Sequence, residues 1–210
     1  MEIELGLSSP QQSHYEQLAS LIYASGSDLF DLLFGGATKA IHFLNKACAK
    51  TNGQFGHGTH YLVMTDSPTN KYESDTIAAC MTLWTSSPSQ DYIDSTLLTL
   101  GKYLNTEQLK ALSRFNNSLQ QTLKPPLASE LCIGHLSVAN DFRRQGLASH
   151  LCEFAAEQAI QQKKESLVLD VQSTNHSAIE CYKRIGFKFH DQNKLLNTDL
   201  VFIRMSLTVQ

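Results

Sequence analysis

The run from Leu136 to Ala148 has the composition of an anion-binding loop. Its pattern predicts a strand end, a short polar loop and then a helix that begins at Gln145. Backbone N–H groups in the first turn of a helix have no intrahelical acceptor, and the helix dipole favours an anion at that end. Gly146 would let the backbone approach a phosphate closely, and Arg143 and Arg144 add positive charge. The run therefore predicts a diphosphate site.

Two other kinds of phosphate loop are absent from the sequence. It contains neither GxxxxGK[ST] nor GxGxxG, so nucleotide hydrolysis by a P-loop and binding of a dinucleotide have no support.

A second run, Asn175–Phe187, helps to interpret the first one. Residues 143–148 resemble the GNAT pattern [RQ]-x-x-G-x-[GA], and they follow a strand ending Leu-x-Val. The second run is similar to N-x-x-A-x-x-x-Y-x-x-x-G-F, the other signature of that superfamily. Because both signatures occur in order and at the expected separation, the chain resembles the GNAT superfamily of acetyl-CoA-dependent N-acetyltransferases. The close match covers about residues 128–190.

The resemblance implies a fold and a cosubstrate. The implied fold is α/β, with a mixed sheet whose fourth and fifth strands splay apart and hold acetyl-CoA. It also implies contacts to coenzyme A from ten residues: Leu136, Ser137, Val138, Arg143, Arg144, Gln145, Gly146, Leu147, Ala148 and Asn175.

The implied reaction is direct attack of a primary amine on the thioester, and it needs three kinds of group. The backbone N–H of Val138 would donate to the thioester carbonyl. Tyr182 matches the family's general acid, although a tyrosine there could also simply cover the core. Glu130 is the candidate base, with a role as an exposed charge at a strand start as the alternative. Several family members have an acid or a histidine where this chain has Cys132, and His135 is expected to be a packed core histidine.

Several alternatives stay open at the level of sequence. The chain could be a non-catalytic acyl-CoA-binding sensor or interaction module, or it could use a longer acyl donor. The acceptor could be a small-molecule amine or a peptide amine, and neither the acceptor nor the oligomeric state can be read from the sequence.

The elements that must position these residues follow from periodicity. Helices are expected after Ser9-Pro10, over about 28–34, and again after Gly35-Gly36. Strands are expected at residues 2–7, 59–65 and 76–84, with a polar hairpin loop at 66–75. A helical insertion at about 86–126 would either pack on the sheet or cover an acceptor site. The remaining expected elements are strand 131–138, helix 145–163, strand 166–171, helix 175–185 and strands 187–190 and 200–207, all in one domain, 1–210.

Composition limits the function classes. The formal net charge is −3, which argues against nucleic acid and anionic membranes as partners. Five cysteines form no CxxC pair, which indicates reduced thiols and a cytoplasmic location. We expect no signal peptide, no membrane span and no metal site, since His57 and His60 have no acidic cluster beside them.

Overall fold

A computed structural model describes residues 4–6, 14–65 and 76–209. The expected helix start at Ser9-Pro10 and the expected loop at 66–75 lie outside these residues. The contacts of the chain divide it into two compact units. The first contains the described residues of Met1–Thr82, Ser89–Asn105 and His135–Leu147, and the second contains Leu83–Pro88, Thr106–Gly134 and Ala148–Gln210. A single domain stays a prediction.

Antiparallel strands and an aromatic helical layer build the first unit. Its strands are β1 (Glu4–Gly6), β2 (His60–Thr65) and β3 (Thr76–Trp84), paired in that order, and the last two residues of β3 belong to the second unit. Its helices are α1 (Tyr15–Ala24), α2 (Ser27–Phe34), α3 (Ala37–Cys48) and α4 (Gln90–Tyr103). Phe34 stacks on Phe43 with ring centroids 4.7 Å apart, and Phe55 meets Phe43 edge to face. This aromatic cluster forms much of the unit's core.

The second unit is built around a parallel strand pair extended by antiparallel strands. Its strands are the first half of β4 (Glu130–Val138), β5 (Ser166–Gln172), β7 (Val201–Thr208) and β6 (Lys188–Lys194), in that spatial order. Its helices are α5 (Thr106–Thr122), α6 (Leu147–Gln161), which begins at the last residue of the first unit, and α7 (His176–Ile185). The expected α/β class with a mixed sheet is confirmed.

Strand β4 contributes one half to each unit. Its residues Glu130–Ile133 pair in parallel with Ser166–Leu169 of β5. Beyond Ile133 that pairing ends, although β4 continues to Val138 and β5 continues to Gln172 along β7. Loss of pairing halfway along is what the sequence led us to expect of strands four and five.

Most expected elements agree with the structure within two residues, and one difference concerns the site. Helix α6 begins at Leu147 rather than at Gln145, because Gly146 has a left-handed φ of 84° that no helical residue adopts. The insertion contains the helices α4 and α5, as expected. Among the described residues, no helix is both long enough and apolar enough to cross a membrane.

Candidate active site

Buried anchors on both sides hold the loop 143–146 in place. A short 3₁₀ turn, Asn140–Phe142, follows β4 and ends on Phe142, which is 7% exposed. Leu147, at the start of α6, is 1% exposed. The four residues between these anchors are all exposed. The loop is therefore fixed at both ends, and its backbone faces solvent.

The backbone of this loop adopts an uncommon conformation. Arg144 has φ of 65° and Gly146 has φ of 84°, both left-handed. No acceptor is found for the N–H groups of Arg144, Gln145 and Gly146 within the described part of the chain. Left-handed residues that alternate along a turn direct successive N–H groups into one concavity, which binds anions. The first N–H groups of α6 add to it.

Side chains of the loop support this conformation. The Nε of Arg143 donates to the carbonyl of Val138 over 3.2 Å, and the amide of Gln145 donates to the carbonyl of Asp141 over 3.2 Å. Among the described residues, Arg144 makes no such bond. A Cβ built on Gly146 meets nothing within 4 Å, so the space beside that backbone is open. The arrangement can hold a phosphate against the backbone, with the Arg144 guanidinium available for charge.

The second half of β4 departs from regular strand geometry directly before this loop. His135 has φ of 49°, a left-handed value that costs a non-glycine residue about 1 kcal/mol. Leu136 and Val138 are half-buried, while Ser137 is 7% exposed. The carbonyl of Ala78 in β3 accepts the N–H of Ala139, which ties the end of β4 to its neighbour over 2.8 Å.

The side chain of His135 packs among rings, as expected from the sequence. It stacks on Phe55 at 5.6 Å between centroids and on His60 at 5.3 Å, with an angle of 9° between the two imidazoles. The Nδ1 of His135 lies 3.1 Å from the Nε2 of His60. Burial lowers the pKa of His135 to about 3, with a smaller contribution from His60. Burial likewise lowers the pKa of His60 to about 4.

In the second unit, Asn175 and Tyr182 belong to α7. Asn175 is the N-cap, since its Oδ1 accepts the N–H of Ala178 over 3.2 Å. Tyr182 is 8% exposed and packs against Phe187 with ring centroids 5.8 Å apart. Burial, followed by the nearby Cys152 and Cys181, raises the pKa of the Tyr182 hydroxyl, which therefore stays protonated. This hydroxyl has no hydrogen-bond partner among the residues that the structure describes.

Glu130 stands at the beginning of β4 and is 8% exposed. Its Oε2 accepts the N–H of Leu127 over 2.8 Å and so closes the turn that leads into the strand. Glu130 is therefore neither exposed nor free of partners. Its role as the base stays a prediction.

Two features of the site escaped the sequence analysis. The first is the contact between His60 and His135, which are 75 residues apart and belong to no common motif. The second is the left-handed backbone at His135 and Arg144, where no glycine marks it. The spacing of glycine and arginine in the loop was the one available signal, and it did identify the loop.

Comparisons with known proteins concern the family and the fold of the chain. The model of the acetyltransferase (GNAT) family matches residues 121–187. The crystal structure of an N-acetyltransferase from Staphylococcus aureus Mu50 is similar over 97% of this chain and 100% of its own, with a TM-score of 0.69 and 14% identity. An acetyltransferase of the GNAT family from Streptococcus pneumoniae matches over the full length of both chains, with a TM-score of 0.52 and 16% identity.

These comparisons confirm the resemblance and the fold. The family uses acetyl-CoA as its donor, and the matched residues include the loop 143–146, Asn175 and Tyr182. In the described ranges, no group of three or more His, Cys, Asp or Glu could hold a metal ion.

Proposed function

We propose that this chain, which has the fold of the GNAT acetyltransferases and matches their family model, moves an acetyl group from acetyl-CoA to a primary amine. The loop 143–146 is the observation on which the proposal depends. Within the described residues, three N–H groups without an acceptor, two left-handed residues and an arginine without a side-chain hydrogen bond form the proposed anion site, and they lie at the start of a helix.

In this proposal, donor binding uses the backbone more than the side chains. Residues 143–148 hold the diphosphate, and the backbone of Leu136–Val138 pairs with the pantetheine arm. Asn175 contacts that arm while it caps α7. The open space beside Gly146 supports this assignment, because a phosphate needs room where any larger residue would place a Cβ.

The transfer step requires three things of the protein. The N–H of Val138 donates to the thioester oxygen as negative charge develops there. The Tyr182 hydroxyl gives its proton to the departing thiolate, and it is suited to do so because it is protonated and unpartnered within the described residues. The amine must also lose a proton, and neutrality of a lysine-like amine at pH 7 costs about 4–5 kcal/mol.

The acceptor proposed here is a primary amine of a small molecule or of a peptide. The net charge of −3 suits a cationic acceptor. A non-catalytic module that binds acyl-CoA is the second candidate, because Glu130 is already engaged by Leu127.

Two measurements test the proposal. Calorimetry with coenzyme A and with pantetheine, which lacks the diphosphate, should give a dissociation constant at least about 100-fold lower for coenzyme A, or about 3 kcal/mol. Thiol release from acetyl-CoA with a panel of amines then separates the candidates. Turnover supports an acetyltransferase, tight binding without turnover supports the module, and equal affinity for both ligands would rule out the anion site.

A further inference from the structure

The paired imidazoles of His60 and His135 have a defined proton arrangement. The Nδ1 of His60 lies 2.8 Å from the carbonyl oxygen of Gly56, which can only accept, so this nitrogen carries the proton. A neutral imidazole has one N–H, and the Nε2 of His60 is therefore an acceptor. The Nδ1 of His135, 3.1 Å away, must then be the donor. Both rings are consequently Nδ1–H tautomers, and the lone pair of His135 is on Nε2.

That lone pair is unpartnered. The Nε2 of His135 has no hydrogen-bond partner in the described residues. His135 as a whole is half-buried, so part of the residue faces solvent. His135 directly precedes Leu136–Val138, and three residues of extended chain span no more than about 11 Å. An unprotonated nitrogen thus lies within reach of the backbone assigned to the acyl donor.

We propose that His60 and His135 form the acceptor for the proton of the attacking amine, with His135 in contact with the amine and His60 as its positioning residue. This inference rests on the proposed function. As the amine nitrogen bonds to the thioester carbon and the C–S bond breaks, one N–H proton passes to the Nε2 of His135. The Nδ1 proton of His135 can then pass to the Nε2 of His60, whose own Nδ1–H remains on Gly56. The sulfur leaves with the electron pair of the C–S bond and takes a proton from Tyr182.

The surroundings of the pair explain why it accepts this proton only after the bond between the amine nitrogen and the thioester carbon has begun to form. Phe30 and Phe55 lie against the ring of His135 and carry no charge. The Sγ of Cys80 donates to the backbone carbonyl of His135, and His57 disfavours a charge on His60. The imidazoles are therefore neutral at rest. They accept the proton only when bond formation has made the amine nitrogen more acidic.

The first test is a tautomer measurement that needs no activity. Long-range nitrogen–proton spectra of the full chain, labelled at histidine and assigned with His60→Gln and His135→Gln, distinguish Nδ1–H from Nε2–H rings. Both residues should be Nδ1–H tautomers and should stay neutral between pH 8 and pH 5. An Nε2–H tautomer at either position would overturn the pair.

The second test is kinetic and uses His42→Gln as the control. His42 is an exposed histidine of α3 in the same unit. His135→Gln should lower kcat/KM for the amine at least about 30-fold with the affinity for coenzyme A unchanged, and His42→Gln should stay within about twofold. Added imidazole should restore the activity of His135→Ala. Between pH 6 and pH 8, the restored activity should be proportional to the neutral fraction of imidazole. If imidazole only filled the cavity left by the substitution, the restored activity would not depend on the neutral fraction of imidazole.

The outcomes separate this inference from the proposed function. Turnover by the natural protein with full activity in His135→Gln overturns the inference and leaves the proposed function intact. If the natural protein binds coenzyme A but acetylates no amine, the proposed function fails and the amine role fails with it. The tautomer spectra decide in either case whether the locked pair exists.

Discussion

The two halves of β4 belong to the same strand and have opposite properties. Glu130–Ile133 is buried, pairs with β5 and closes its turn through Glu130 and Leu127. His135–Val138 has a left-handed residue at its start, is half-buried for the most part and leads into an exposed loop. In the first half, the backbone pairs with β5 and the residues are buried. The second half leads into N–H groups of Arg144, Gln145 and Gly146 that have no acceptor among the described residues, and such groups can bind a ligand.

The largest expected effect is that of a substitution at Tyr182, which lies in neither half of β4. This substitution should affect turnover without affecting the binding of coenzyme A. Tyr182→Phe removes the hydroxyl and keeps the ring against Phe187. We expect kcat to fall about 100- to 1000-fold with no more than a twofold change in affinity for coenzyme A. Stopped-flow thiol release and calorimetry measure the two quantities. Unchanged kcat would show that Tyr182 only covers the core.

Next is a substitution in the first half of the strand. Ile133 is 4% exposed, and Ile133→Ala should reduce the free energy of unfolding by about 3 kcal/mol because it leaves a cavity. Activity per folded molecule should stay within about twofold. Urea unfolding together with kinetics below the transition checks both. A selective loss of coenzyme A binding would contradict the division of the strand.

In the loop after the second half of β4, we expect the opposite pattern, with a large loss of affinity for coenzyme A and a small loss of stability. Gly146→Ala places a Cβ where φ is 84° and where the phosphate is proposed to lie. Affinity for coenzyme A should fall about 30-fold, or about 2 kcal/mol, and stability should change by only about 1 kcal/mol. Gly101→Ala is the control, since its Cβ also meets nothing within 4 Å and its helix α4 favours alanine. Equal effects of the two substitutions would rule out a special role for Gly146.

A smaller effect follows from the buried imidazoles. Their pKa values, about 4 for His60 and about 3 for His135, lie below the unfolded value of about 6.5. The unfolded chain therefore binds more protons in this window, and the stability contribution present above pH 6.5 is lost as the pH falls toward 4. We expect a loss of about 1–2 kcal/mol between pH 6.5 and pH 5.5 that is about halved in His60→Gln. Chemical unfolding at both pH values measures it, and an equal loss in the variant would show that these residues are not its source.

The smallest effect is expected at Glu130. Glu130→Gln keeps an oxygen to accept the N–H of Leu127 but removes the negative charge. If the residue supports the turn, as its contact suggests, turnover changes less than about threefold and stability less than about 1 kcal/mol. A loss of turnover of about 100-fold or more would instead establish Glu130 as the base and contradict the role given to His135.

Local patterns predicted the elements and the loop, but they did not predict the contacts that join distant segments. β3 was expected at residues 76–84 and extends over Thr76–Trp84, because an uninterrupted apolar run has one simple explanation. The start of α6 was wrong by two residues, since a sequence cannot show that Gly146 uses its left-handed freedom there. The histidine pair required the fold itself, which brings Gly56 and β2 beside His135.

The most direct test of the account follows the backbone amides of the loop during a titration with coenzyme A. In nitrogen–proton correlation spectra of the full chain, the N–H signals of Arg144, Gln145 and Gly146 should move downfield together, as expected of donors to a phosphate. The signals of Leu131 and Ile133, in the first half of β4, should move little. If coenzyme A binds and the three loop signals do not shift, the diphosphate is held elsewhere and the account is wrong.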